Sequence, residues 1–283
     1  MITATEIFCL NELGKRANNE DSVAPKKGEA TVQDRLFVVC DGVGGEKKGE
    51  VASQIVTHSI QEYFKKVLVD VRIGKEAIQK AILYANKNLS AYVATDVSAN
   101  RMSTTLAMVL LGDESVIAAW CGDSRIHHIR NGKVIWKSRD HSLVSELIYQ
   151  GELSEEEARS HPQRNVITRS LNALSYNNSV DFHEIESFET GDYLLVCTDG
   201  FLEKVSDKVI SEVLMDEKQK DKALAFFAQC REVTRDNFSM YLVRIQKSAI
   251  NKNNSSTSLR TILVISFVVI LLCFAYFFFI KGR

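Results

Sequence analysis

Short apolar segments bounded by turn residues recur along residues 1–245, and they predict a β-rich domain. The expected strands are Leu36–Cys40, Thr104–Leu111, Ser115–Cys121, Ile126–Arg130, Val134–Lys137, Tyr193–Cys197 and Ser239–Ile245. Gly112-Asp113 and Asn131-Gly132 lie between neighbouring segments and are typical of hairpin turns. Part of the sheet structure is therefore expected to be antiparallel.

Apolar residues at helical spacing predict helices between these strands. One series runs from Val51 to Phe64, and a second runs from Ile78 to Leu89. The segment Phe201–Leu214 also has a helical pattern, and a third long helix is expected near 219–232. Antiparallel strands with separate helix pairs predict an α+β layered sandwich and not a doubly wound sheet.

A charged, helical segment between residues 142 and 172 interrupts the strands, and we interpret it as a surface insertion. Within it, Ser154 and Glu157 have the spacing of a capping box. Just before it, Asp140-His141-Ser142 contains the letters of a catalytic triad. Adjacent residues cannot adopt the geometry of a triad, so we expect a helix-capping role there instead.

The C-terminal part of the chain has a different pattern. Residues 246–260 are polar and lack periodicity, as expected for a linker. Residues 261–280 are almost entirely apolar, and at ~1.5 Å per residue they are long enough to cross ~30 Å of hydrocarbon. We expect a single transmembrane helix there, followed by a short tail at 281–283. Since the N-terminus lacks the pattern of a signal peptide, the sequence predicts a tail-anchored protein with its large domain in the cytoplasm.

Composition excludes some classes of function. The 283 residues are 45% hydrophobic and 25% charged, as in an ordinary globular chain, and the formal net charge is −1. Because there is no basic excess, we expect no nucleic-acid partner. The six cysteines have no zinc-like spacing, and those within apolar strands are interpreted as small buried residues.

The candidate chemistry lies in acidic residues near the ends of these segments. Asp41-Gly42 and Asp199-Gly200 each close an apolar segment. Asp-Gly is first of all a hairpin signal, but here a helical pattern follows each pair, with no partner strand. Three further acidic sites are Glu20-Asp21, Asp123 and Asp236.

A lone carboxylate at the end of a strand is usually a solvated cap. Several carboxylates that converge would repel one another unless a cation neutralised them. Oxygen ligands with almost no histidine nearby suit Mg²⁺ or Mn²⁺ and not zinc. Two such ions ~3.5–4 Å apart would polarise a phosphoryl group and lower the pKa of a bridging water. A shared polynuclear metal site is therefore the hypothesis.

Six motifs occur in order along the chain: Arg16…Asn19-Glu-Asp21, Asp41-Gly-Val-Gly-Gly45, Met102-Ser-Thr-Thr105, Gly122-Asp-Ser-Arg125, Gly191–Gly200 and Asp236-Asn237. Together they resemble the metal-dependent serine/threonine protein phosphatases of the PP2C (PPM) family, bacterial type. The resemblance covers about residues 1–245, with the family's flap at about 142–172. It implies a four-layer αββα sandwich of two antiparallel β-sheets flanked by helix pairs. It also implies hydrolysis of phosphoserine and phosphothreonine by metal-activated water.

The resemblance implies two ions, Mn²⁺ or Mg²⁺, and a ligand role for four residues. Asp41 would bridge both ions, and Gly42 would offer its carbonyl oxygen to the second ion. Asp199 and Asp236 would complete the ligands of the first ion.

Four other residues would surround this pair of ions. Glu20 and Asp21 would hold metal-bound waters, and Asp123 would join Asp199 around a possible third ion. Arg16 would bind the substrate phosphate through its guanidinium fork.

The chain departs from the family where some members carry histidine, because it has Val43 and Glu46 at those positions. The group that protonates the leaving oxygen therefore stays open, with a metal-bound water as one candidate. The family implies phosphoproteins as partners, with a serine/threonine kinase at the same membrane, or its substrates, as targets. The alternative is a non-catalytic scaffold that binds phosphoproteins at the membrane.

Overall fold

Strands dominate the part of the chain that the computed structural model describes, which is residues 1–43, 48–67, 74–174 and 180–247, without the side chains of Val67 and Arg159. The strands are β1 (Ile2–Glu12), β2 (Asp21–Ala24), β3 (Leu36–Val43), β4 (Ser103–Thr104), β5 (Leu106–Leu111), β6 (Val116–Cys121), β7 (Arg125–Arg130), β8 (Lys133–Lys137), β9 (Leu171–Asn172), β10 (Asp181–Ile185), β11 (Tyr193–Cys197) and β12 (Phe238–Lys247). The α-helices are α1 (Gly49–Val67), α2 (Lys75–Thr95), α3 (Leu143–Gln150), α4 (Glu155–Ser160), α5 (Asp199–Leu202), α6 (Asp207–Met215) and α7 (Lys222–Cys230).

The strands form two antiparallel sheets, as predicted. The first sheet has the order β1-β12-β11-β7-β8, and the second has the order β10-β6-β5-β3-β4-β9, with β2 also paired to β3. Both predicted hairpin turns are confirmed. Asn131 and Gly132, between β7 and β8, have positive φ angles of 49° and 72°, as a tight hairpin requires. Between β5 and β6, the Gly112 N–H donates to the Ser115 carbonyl at 2.9 Å.

Alternation along the central strands produces three apolar cores. In β3, Phe37 and Val39 point into the core between the two sheets, whereas Val38 and Cys40 point towards α1 and α2. The helices α6 and α7 pack on the outer face of the first sheet, where Ile210, Phe226 and Leu242 belong to one buried apolar cluster. The layers therefore follow the order α-β-β-α, as the family resemblance implied.

Several element boundaries differ from the sequence-based prediction. β1 was not predicted, because most of its side chains are only half-buried and its apolar alternation is weak. β3 does not end at Cys40, since Gly42 and Val43 continue it by pairing with Thr104 and Ser103. The helix predicted over Phe201–Leu214 is two helices, because Ser206 caps a new helix by accepting the Val209 N–H at 3.4 Å.

The insertion after β8 contains α3 and α4. Ser142 caps α3 by accepting the Ser145 N–H, and Ser154 and Glu157 form the predicted capping box at the start of α4. An antiparallel bridge between Ser142 and Ile167 closes this segment at its base. The capping role expected for Ser142 is therefore confirmed.

No helix of the described residues is long and apolar enough to cross a membrane. The predicted transmembrane helix at 261–280 lies outside the described residues. The same is true of residues 248–260 of the predicted linker and of the tail at 281–283.

Truncation of Phe37 should show where the stabilising core lies. Phe37 is fully buried, with its ring centroid 5.2 Å from that of Tyr241. We expect Phe37→Ala to lower the free energy of unfolding by about 3–5 kcal/mol, measured by urea titration, because it leaves a cavity between the sheets. The control Leu83→Ala, at a residue that is 61% exposed on α2, should change it by less than about 0.5 kcal/mol. Equal effects of the two substitutions would contradict this assignment of the core.

Candidate metal centre

The predicted acids gather at one end of the two sheets. Asp41 of β3 lies directly opposite Asp21 of β2 in the second sheet. Asp199 follows β11 and Asp236 precedes β12, both in the first sheet, and, in addition to burial, the charges of both raise the pKa of Asp41. Asp123 is half-buried in the turn between β6 and β7. The cluster therefore draws its side chains from both sheets.

Glycine permits the close approach of the backbone segments that carry these acids. A Cβ on Gly42 would overlap the backbone of Gly49 and would lie 2.8 Å from the Glu20 carbonyl oxygen. A Cβ on Gly200 would overlap the carbonyl oxygen of Asn237. Only glycine therefore fits beside Asp41 and Asp199, which is the physical meaning of the repeated Asp-Gly pattern.

The amide side chain of Asn237 connects three backbone groups. Its Oδ1 accepts the Glu20 N–H at 2.8 Å, and its Nδ2 donates to the carbonyl oxygens of Leu13 and Asn18 at 2.8 and 2.9 Å. The loop before β2 is thereby attached to the start of β12. Asn237 belongs to one of the sequence motifs, but its role is not visible in the sequence, because all three partners are remote in the chain.

Two buried threonine hydroxyls fix the backbone beside the acids. Thr105 Oγ1 accepts the Asp41 N–H at 2.9 Å and lies 2.7 Å from the Ser124 hydroxyl. Thr198 Oγ1 donates to the Asp21 carboxylate at 3.0 Å, and this hydrogen bond joins the two sheets. The sequence motifs contained both threonines, but their partners depend on the tertiary structure.

Arg16, the predicted phosphate-binding residue, lies at the rim of the cluster. Its Nη2 is 2.8 Å from Oδ2 of Asp236, and its side chain is 54% exposed. Exposed ion pairs of this kind contribute little to stability. The guanidinium therefore loses little when it exchanges this carboxylate for another anion.

Burial raises the pKa of the clustered acids. Burial raises the pKa of Asp21 to about 8, and the charges of Asp199 and Asp236 add to this increase. Burial and the charge of Asp199 raise the pKa of Asp123 to about 7. The pKa of Asp41 is raised well above its ordinary value, again by burial first and then by the neighbouring carboxylates. Without cations, the cluster therefore retains protons at neutral pH.

The chemistry of the donors fits a hard divalent cation. The available ligands are carboxylate and carbonyl oxygens, and Asp199 Oδ1 is buried without a hydrogen-bond partner. In the described part of the chain, no three His, Cys, Asp or Glu side chains already stand in a metal-holding arrangement. Asp236 is paired with Arg16, and Asp21 with Thr198. Glu46, where the sequence lacks a family histidine, lies outside the described residues.

Known proteins are similar to this chain in sequence and in fold. The model of the Protein phosphatase 2C family matches residues 12–240. The serine/threonine phosphatase stp of Listeria innocua is 31% identical over 212 residues, which cover 74% of this chain and 83% of that protein.

Solved structures of serine/threonine phosphatases are similar to this chain in fold. The serine/threonine phosphatase PstP/Ppp of Mycobacterium tuberculosis matches with a TM-score of 0.72 and 29% identity, over 87% of this chain and 100% of that chain. The catalytic domain of PstP in complex with two manganese ions matches with a TM-score of 0.70 and 27% identity, over the same shares of the two chains.

Without metal ions, the domain should lose stability as the pH rises from about 6.5 to about 8, above the range in which the lowered pKa of buried His127 has the opposite effect. Carboxyl groups of the unfolded chain titrate near pH 4, whereas the folded pKa is about 8 for Asp21 and about 7 for Asp123. The folded state therefore binds more protons than the unfolded state does. The stability that these protons contribute is complete below the unfolded pKa and is lost as the pH rises through the folded pKa values.

Thermal unfolding in a chelator, followed across this pH range, measures the effect. Asp21→Asn removes one of the shifted groups and should flatten the decline, whereas the control Asp113→Asn, at an exposed acid, should leave it unchanged. A melting temperature that rises with pH over this window would contradict the assignment.

Proposed function

Because the chain belongs to the protein phosphatase 2C family of serine/threonine phosphatases, which are hydrolases, we propose that it hydrolyses phosphoserine and phosphothreonine at a binuclear Mn²⁺ or Mg²⁺ centre. The observation that carries the proposal is the convergence of Asp41, Asp199 and Asp236 from two sheets. Such a cluster is unfavourable without cations, and in the described part of the chain its three carboxylates have one ion pair, between Asp236 and Arg16. The similar catalytic domain of PstP is a complex with two manganese ions, and this supports the proposal of two ions here.

Four residues would hold the ions in this proposal. Asp41 would serve both ions, Asp199 and Asp236 would hold the first, and the Gly42 carbonyl oxygen would contribute to the second. Bound divalent ions supply polarisation of the phosphoryl group and a water of lowered pKa. The position of Asp41 supports its role, since its backbone is fixed by Thr105 in a strand that is buried on both faces.

Residues around the cluster would bind water and substrate. Glu20 and Asp21 would orient metal-bound waters, and Asp123 would join Asp199 around a third ion. Arg16 would bind the substrate phosphate. Its exposure at the rim and its weak ion pair with Asp236 support this role, because the guanidinium has access to an incoming anion.

No covalent phosphoenzyme is expected, because water can attack directly. The thiols nearest to the acids in the sequence are poor nucleophiles. Burial raises the pKa of Cys121 to about 12 and raises that of Cys40 well above its ordinary value. Both thiols therefore stay protonated at neutral pH.

We also propose that residues 261–280 anchor the protein in a membrane, with the phosphatase domain in the cytoplasm. The support is the length and apolar character of this segment in the sequence. Phosphoproteins at the same membrane, including a serine/threonine kinase or its substrates, are then the proposed targets.

Removal of a ligand should abolish hydrolysis. We expect Asp41→Ala and Asp199→Asn to lower the Mn²⁺-dependent hydrolysis of p-nitrophenyl phosphate by more than about 100-fold. Loss of groups that only support metal ligands already costs about 10- to 100-fold. The matched control Asp113→Ala, at an exposed acid paired with Arg35, should retain wild-type activity. A wild type no faster than Asp41→Ala would favour the non-catalytic scaffold.

Charge in the apolar segment should release the protein from membranes. Val268→Arg with Leu271→Arg places two charges near the centre of the predicted span, at a cost of about 2.5–3.5 kcal/mol each. We expect wild type in the membrane fraction after carbonate extraction and the double variant largely in the supernatant. The control Ser255→Arg with Ser256→Arg adds the same charge to the linker and should fractionate like wild type. Wild-type protein in the supernatant would rule out the anchor.

A further inference from the structure

His141 connects the base of the α3–α4 insertion to the turn that carries Asp123. Its backbone N–H donates to the Gly122 carbonyl at 2.8 Å, and its own carbonyl accepts the Thr168 N–H at 2.8 Å. Its ring, which is 3% exposed, accepts the Gly122 N–H through Nδ1 at 3.1 Å. Both backbone groups of Gly122 are therefore held by one residue, at the point where the insertion begins and ends.

The Gly122 turn is in contact with Asp41 through one intermediate residue. Gly122 has a φ of 102°, and a Cβ there would lie 2.7 Å from Cγ2 of Thr105. Thr105 in turn holds Asp41, since its hydroxyl accepts the Asp41 N–H and its own N–H donates to the Asp41 carbonyl at 2.8 Å. A displacement of the turn would therefore reach the backbone of Asp41 through Thr105.

Asp140 holds the other end of the same turn. Its carboxylate accepts two hydrogen bonds from Arg125, from Nε at 2.6 Å and from Nη2 at 2.5 Å. Asp140 and His141 thus fix both sides of Asp123, through Arg125 and Gly122. The three residues of the Asp140-His141-Ser142 motif therefore have separate structural roles: Asp140 binds Arg125, His141 binds Gly122, and Ser142 caps α3.

The bond to Gly122 requires a neutral imidazole that accepts at Nδ1. Burial lowers the pKa of His141, which keeps the ring neutral at neutral pH. The ring proton then lies on Nε2, 3.2 Å from Oδ2 of Asp181 but without hydrogen-bond geometry. Nδ1 is therefore the ring atom through which His141 contacts the turn by a hydrogen bond.

We infer that His141 is a positioning residue of the phosphatase site, which fixes the Asp123 turn against the base of the 142–167 insertion through its Nδ1. The inference rests on the proposed function, because positioning matters through Asp123 and Asp41. His141 itself would contact neither the substrate nor an ion. It would position the backbone that carries the proposed ligands.

Two amide substitutions separate this role from simple packing. In His141→Asn the amide oxygen can occupy the position of Nδ1 and accept the Gly122 N–H. His141→Gln is closer to histidine in size but moves its amide one bond further out, to the position of Nε2. If packing were decisive, Gln would be the better replacement; if the acceptor is decisive, Asn is better. If the His141→Gln variant does not fold, His141→Leu can replace it, because leucine has no hydrogen-bond acceptor in its side chain.

Two measurements decide between these outcomes. We expect His141→Gln to lower kcat and to raise the Mn²⁺ concentration for half-maximal activity, with a combined effect of about 10- to 100-fold. For His141→Asn we expect a combined effect on the same two quantities of less than about tenfold. In metal-free protein, amide exchange at Gly122 should be roughly threefold to tenfold faster in His141→Gln than in wild type, and near wild type in His141→Asn. The exchange experiment needs no activity.

Several results would overturn the inference. An active wild type with Gln and Asn variants that are equally impaired would reduce His141 to a packing residue. Variants that match wild type in both measurements would show that the turn does not need it. An inactive wild type would refute the proposed function instead, and the order of the exchange rates would still decide whether Nδ1 holds the turn.

Discussion

The structure depends on one constraint: several carboxylates are held close together at a buried site, because the backbone segments that carry them pack against one another. Asp21 and Asp41 are opposite one another on neighbouring strands, an arrangement that is unfavourable for like charges. They cannot move apart, because Gly42 packs against Glu20 and Gly49, and Thr105 holds the Asp41 amide. Protons or cations must therefore neutralise the cluster, and the fold itself creates this demand.

The same strands provide the rigidity that the cluster requires. β3 is buried on both faces up to Cys40, so its side chains are fixed by two separate cores before the chain reaches Asp41. The Asp199 side of the site has the same support, because Leu194 and Leu195 of β11 enter different cores. Asp236 differs, since it precedes β12 in a loop and depends on hydrogen bonds from its neighbours. Packed strands therefore hold Asp41 and Asp199, whereas hydrogen bonds hold Asp236.

Local pattern predicted part of this arrangement and could not predict the rest. An apolar segment followed by Asp-Gly is a local signal, so Asp41 and Asp199 were found from the sequence. The three partners of Asn237 lie more than 200 residues earlier in the chain, and no periodicity reveals such contacts. The extension of β3 to Val43 depends on pairing with β4, and β1 is hidden because an edge strand with half-buried side chains lacks strong alternation. What escaped prediction is therefore mostly what holds the acids in place.

Protons and divalent cations compete for the same oxygens in such a site. Burial makes each carboxylate costly when it is charged and unpaired, and this raises its affinity for a proton and for a metal ion together. In this structure Asp236 is paired with Arg16, and Asp21 accepts a hydrogen bond from the hydroxyl of Thr198. Metal binding then has to displace these partners and release protons, so metal affinity increases with pH as the carboxyls ionise. A fold that made the acids less buried would ease this competition, but it would also weaken the electrostatic interaction with the bound ions on which hydrolysis depends.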